Sequence, residues 1–201
     1  MNRIAFLALL LAGNFFSFLS QPTKSVSINM TRAAVAFLQS LSPQQKAKAQ
    51  FTFEDGERYN WNYVPIDRKG IPLRELSSAQ REAGLNLLRI ALSDSGYNKT
   101  IAITELEMVL KVVENRGATD DHRHPEKYYF SIFGDPVADS VWGWRFEGHH
   151  VAFNFSSDNN QLVSGTPGFL GSNPAIVLSG PEKGKQILRD ETELGFVLLH
   201  S

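Results

Sequence analysis

An α+β fold, with amino-terminal helices packed on a mainly antiparallel β-sheet built from the carboxyl-terminal half, follows from three observations. Capping boxes and helical apolar stripes fill the chain before Gly117. Period-2 alternation takes over from Tyr128, and turns bearing glycine and proline separate the alternating runs. Helices first and strands later are the pattern of a sheet covered by helices on one face. At 201 residues the chain is read as one domain, long enough to bury a core.

Residues 1–20 read as a leader. Arg3 precedes an apolar run, Ile4 to Ala12, continued by Phe15, Phe16, Phe18 and Leu19. This is the order of a secretory signal peptide, with Gln21-Pro22 opening a single α+β domain over 21–201. Phe18 stands where cleavage favours a small residue, so an uncleaved amino-terminal anchor is the alternative, although Asn14 interrupts its span. A buried amino-terminal helix is the third reading. The expected location is exported, periplasmic or extracellular, with membrane contact only through an uncleaved leader. The absence of cysteine fits export and excludes thiolate ligands, thiol nucleophiles and disulfides.

The elements then follow in order. Ala33, Ala34, Phe37, Leu38 and Leu41 form a helical stripe, and Ser42-Pro43-Gln44-Gln45 starts a second helix through a capping box. Trp61 to Val64 is a short strand or extended segment. Ser77 to Gln80 opens a helix striped by Leu85, Leu88 and Leu92 and ended by Gly96. Thr104 to Glu107 reads as a third capping box, starting a helix with Leu106, Val109, Leu110 and Val113. Ala118 to Pro125 is a polar loop, and Tyr128 to Phe133 is a strand stopped by Gly134-Asp135-Pro136. Ser157 to Asn160 is a turn returning through Leu162 to Ser164. Thr166-Pro167-Gly168 and Gly171 to Pro174 punctuate a segment with Phe169 and Leu170. A last helix runs from about Asp190 and ends without cap, glycine or polar tail, as if interrupted.

The stretch Val141 to Ser156 concentrates the chemistry. Trp142, Trp144 and Phe146 share one strand parity, while Arg145, Glu147 and His149 share the other. After Gly148 the apolar parity moves to Val151, Phe153 and Phe155, which predicts a β-bulge or tight bend at Gly148-His149-His150. His149 and His150 are the candidate metal ligands, for zinc, copper or iron, with Glu147 and Arg145 as candidate catalytic groups that tune a pKa or orient substrate. Adjacent strand residues point to opposite faces, so the two histidines share an ion only where the strand is distorted. A buried, hydrogen-bonded histidine with Glu147 or Asn154 as partner is the plain alternative. His122 and His124, beside Asp120 and Asp121, are secondary candidates whose composition also suits a solvated loop. Trp142 and Trp144 read as core. Exposed, they would join Tyr129 and Asn154 in binding a glycan or other small ligand.

Other chemistries lack their motifs. There is no Gly-x-Ser-x-Gly elbow, no dinucleotide fingerprint and no phosphate loop. The net charge of −1 gives no reason to expect nucleic acid.

The residues resemble a mainly bacterial family known as domain of unknown function 3500. The likeness runs through Glu57-Arg58, Trp61, Tyr63-Val64-Pro65, Leu76 to Gln80, Leu88 to Gly96 and Tyr128 to Pro136. It continues through Trp142-Gly143-Trp144-Arg145, Gly148-His149-His150, Asn154, Thr166-Pro167 and Phe169-Leu170-Gly171. The resemblance implies no activity. It implies longer members with a second half bearing further histidines, so that this chain would carry the amino-terminal part alone. A metal site shared between halves would then be incomplete, and the last helix would seek that half or an oligomer partner. The functional expectation is a metal-dependent enzyme, preferably a hydrolase, centred on His149 and His150. A non-catalytic envelope protein binding a ligand through exposed aromatics, or a half-domain needing a partner, are the alternatives.

Overall fold

The computed structural model describes residues 22–201, so the leader expected over 1–20 lies outside the described residues. Helices come first: α1 (Pro22–Ser40), α2 (Pro43–Ala49), α3 (Ser78–Ala91) and α4 (Asp94–Val113), with short strands β1 (Gln50–Phe51) and β2 (Ile71–Pro72) between α2 and α3. The sheet is completed by β3 (Tyr129–Phe133), β4 (Val141–Gly148), β5 (Val151–Asp158), β6 (Gln161–Ser164) and β7 (Gly168–Leu170), before α5 (Arg189–Leu199). The strand order is β1-β3-β4-β5-β6, with β2 also on β3 and β7 also on β5. Among the described residues only β1 runs parallel to its neighbour, so the predicted α+β class and mainly antiparallel sheet hold. No helix among the described residues is long and apolar enough to cross a membrane.

Two of the three predicted capping boxes form, at Ser42 with Gln45 and at Ser77 with Gln80. The third does not. Ser93 caps α4 by accepting from Gly96 N–H, so Thr104 and Glu107 lie in the middle of a 20-residue helix. Gly96 therefore sits in the first turn of α4 rather than ending α3. Thr104 instead turns its hydroxyl back to Ile101 O at 2.7 Å, an option open to any mid-helix threonine.

The strand register sorts side chains onto two faces. Phe130, Trp144, Phe146, Phe153 and Phe155 meet the helical layer. Phe37 of α1 stands 5.2 Å from Phe130 between ring centroids, and Gly84 lets α3 close on the same ring, since a Cβ there would lie 2.8 Å from it. Trp142 and Trp144 are 2% and 1% exposed, and Trp144 stacks on Phe155 at 4.8 Å. They are core residues, each contributing about 1.5–3 kcal/mol of burial or more, and these two form no exposed platform. The opposite face carries Tyr129, Ser131, Gly143, Arg145, Glu147 and Asn154, and the segment between β1 and β2 folds over it through Glu57 and Arg68.

Candidate functional site

Gly148 pairs with Val151, so β4 and β5 form a hairpin whose two turn residues are His149 and His150. The predicted phase change is thus a tight bend rather than a bulge. His150 takes φ +59°, the left-handed region, which costs a non-glycine residue about 1 kcal/mol. A turn lifts the opposite-faces rule of a strand, and the two imidazoles meet edge to face with centroids 4.2 Å apart. Gly148 admits the neighbouring Tyr128 ring, which a Cβ would strike at 2.2 Å. The Tyr128 hydroxyl donates to His149 O at 2.9 Å and fixes the turn.

His149 is buried, and its Nδ1 lies 2.5 Å from Glu107 Oε1, a short charge-assisted contact. Arg123 Nη1 is 3.2 and 3.4 Å from the two ring nitrogens, which places the guanidinium against the ring rather than on one lone pair. The same arginine donates through Nη2 to Glu114 at 2.6 Å, and Arg116 joins from the far side. Arg123 first, then Arg116, hold the Glu114 carboxyl at about 2. His149 is therefore tied through two carboxylates and two guanidinium groups to the end of α4.

His150 is half-buried. Its N–H donates to Tyr63 O and its O accepts from Gly171 N–H, while Tyr63 and Phe169 flank the ring at 6.3 Å. Its Nδ1 is buried without a partner. Burial, then the neighbouring His149, push its pKa below the usual 6.5 and so favour the neutral ring. Gly171 makes this packing possible, because a Cβ there would lie 2.3 Å from Nδ1.

His122 and His124 come to the same place. With His149, Glu107 and Lys127 they line a small cavity of about 10 Å³, space for about one water. Among the described residues no group of three or more histidine, aspartate or glutamate side chains is arranged to hold a metal ion.

Arg145 and Glu147 are placed elsewhere. Arg145 Nε lies 2.7 Å from Glu147 Oε1, and its Nη atoms hold the carbonyl and carboxylate of Glu57 at 2.8 and 2.6 Å. The other Glu147 oxygen accepts from Asn62 N–H, with Arg68 Nε at 3.4 Å. Burial raises the Glu147 pKa above its usual value, against the pull of Arg145 and Arg68. These residues clamp the covering segment and touch neither histidine. Tyr129 is buried with its hydroxyl on Asp67, and the Asn154 amide donates to Pro167 O in the link between β6 and β7.

Sequence reasoning missed Glu107 and Arg123 as partners of His149. The signal for Glu107 was present: it lies on the buried stripe of Ile103, Leu106 and Leu110, where a carboxylate requires a partner. Arg123 carries no comparable pattern.

Residues 23–201 match the family model described as Protein of unknown function (DUF3500). The match spans nearly all of the described residues. No curated protein and no solved structure matches the chain.

Proposed function

The chain belongs to the DUF3500 family, whose description names no activity, and from the site itself we propose that it is a hydrolytic enzyme whose proton-handling centre is Glu107–His149–His150. The observation that carries this reading is His150: an imidazole at a hairpin tip, with an unpartnered buried nitrogen, edge-on to a second imidazole that contacts a buried carboxylate, and with a pKa that burial lowers. A neutral imidazole takes a proton from water or a hydroxyl nucleophile as general base. Glu107 accepts from Nδ1–H of His149, selecting one tautomer and orienting the ring. Arg123 and Lys127 add positive charge close by, which favours a reacting group that gains negative charge. Arg145 and Glu147 act in this scheme by holding the surrounding segment.

A second reading, in which one divalent ion (zinc, copper or iron) assists the same hydrolysis, draws on the cavity that gathers His122, His124, His149 and Glu107. It requires Arg123 to withdraw, because a guanidinium 3.2 Å from Nδ1 repels a cation bound there. Export remains part of the proposal on the strength of the leader sequence alone. The exposed Leu194, Val197 and Leu198 of α5 support docking to a partner or second copy.

Turnover of nitrophenyl esters, phosphoesters and glycosides, measured beside metal content by mass spectrometry, tests the proposal. Hydrolysis lost in folded His150→Ala and Glu107→Gln variants supports it. Hydrolysis unchanged in His150→Ala contradicts it. Stoichiometric metal that disappears with His149→Ala/His150→Ala moves the chemistry onto the ion.

A further inference from the structure

The Trp-Gly-Trp-Arg run is not used by the hairpin site, and its glycine and arginine converge on a different place. On the face turned away from the helices, Gly143 and its neighbours floor a cavity of about 160 Å³. A Cβ at position 143 would strike Phe155 O at 2.7 Å, so only glycine keeps the strands this close and the floor this low.

The wall above Gly143 is held from below. Arg145, fully buried, grips Glu57 through both its carbonyl and its carboxylate. Glu57 directly precedes Arg58 and Tyr59, which line the cavity. The Arg58 guanidinium lies 4.2 Å from the Phe53 ring centroid and 4.4 Å from that of Tyr59. Its Nε donates to Phe53 O and its Nη2 to the Tyr59 hydroxyl. Nη1 has no hydrogen-bond partner among the described residues, so a positioned cation retains donors for a ligand. Tyr59, 69% exposed, supplies an apolar ring, Ser156 supplies a hydroxyl, and Asn154 supplies the oxygen of a carboxamide whose nitrogen donates to Pro167 O.

We infer that this cavity is a second binding site, for a small hydroxylated carboxylate of about one sugar ring. Arg58 takes the carboxylate, Ser156 and the Asn154 carboxamide oxygen take hydroxyls, and the exposed Tyr59 takes the apolar ring face. The site stands apart from the histidine hairpin and does not depend on the hydrolytic reading.

Titration of the whole protein with D-glucuronate, followed by amide NMR, tests it, with D-glucose and acetate as single-feature probes. Glucuronate is expected to shift the amides of Gly143, Asn154 and Ser156. Arg58→Gln and Asn154→Ala, both at partly exposed positions, are each expected to weaken binding by about tenfold, and His150→Ala to leave it unchanged. Absence of shifts at millimolar glucuronate, or equal affinity in Arg58→Gln, overturns the site. Acetate binding as tightly as glucuronate overturns the hydroxylated class of ligand.

Discussion

Glu107 and His149 are 42 residues apart in the chain and 2.5 Å apart in space. This contact joins the middle of α4 to the tip of the β4–β5 hairpin and gives a buried carboxylate its partner. Truncating it leaves His149 and Arg123 with an unfilled site inside the protein. Glu107→Ala is therefore expected to lose about 1–3 kcal/mol in urea unfolding, and Glu107→Gln, which keeps an acceptor, less. Equal stability of Glu107→Ala and the parent would show that the contact carries no weight.

The backbone at His150 carries a separate cost. Alanine keeps the left-handed strain of φ +59°, and glycine removes it. His150→Gly is expected to be more stable than His150→Ala by about 1 kcal/mol, measured by thermal or urea unfolding. The reverse order would mean that the turn relaxes when the imidazole is removed.

Gly171→Ala tests the packing on the other side of that ring. The added methyl would sit 2.3 Å from His150 Nδ1, so the imidazole must move. The expected result is a folded variant whose His150 ring signals shift and whose hydrolytic turnover falls. Unchanged ring signals would contradict the packing.

Arg145 is a larger structural commitment. Arg145→Met leaves Glu57 and Glu147 buried beside no cation of comparable contact, and a loss of about 3–5 kcal/mol is expected. A loss below 1 kcal/mol would mean that Arg68 and Lys69 already satisfy the two carboxylates. Glu114 supplies a pH test with a defined sign. Its pKa falls from 4.5 to about 2 in the folded protein, chiefly through Arg123. Its stabilisation is complete above pH 4.5 and is lost as the pH falls toward 2. Glu147 runs the other way: its raised pKa gives a contribution present below 4.5 and lost as the pH rises through the folded value. Glu114→Gln is expected to flatten the acid limb of the unfolding profile.

Much of this architecture was legible in the residues. Period-2 runs named β3, β4 and β5, and two capping boxes placed α2 and α3, because those signals are local. The α4 start was misread for the same reason. Ser93 with Gly96 lacks the Glu or Gln of a full box, whereas Thr104 to Glu107 has the right letters inside a helix. The hairpin was foreseen only as one of two options, since a phase switch at glycine fits a bulge and a bend equally. That Glu107 needs a partner was legible from its place on a buried stripe, but that the partner is His149, with Arg123 beside it, depends on how α4 and the loop after it return to the sheet. Arg145 and Glu147 stand out in the sequence as charges set among aromatics, and the structure buries both. Their unusual chemistry is that of a buried clamp.

The proposed function requires Glu107, His149 and His150 to handle protons as one unit, and imidazole NMR titration tests this most directly. His150 is expected to titrate below 6.5, to rise toward that value in His149→Ala, and to fall further in Glu107→Gln, since His149 opposes its charge and Glu107 favours it. A His150 midpoint at or above 6.5 that neither substitution moves would contradict the claim.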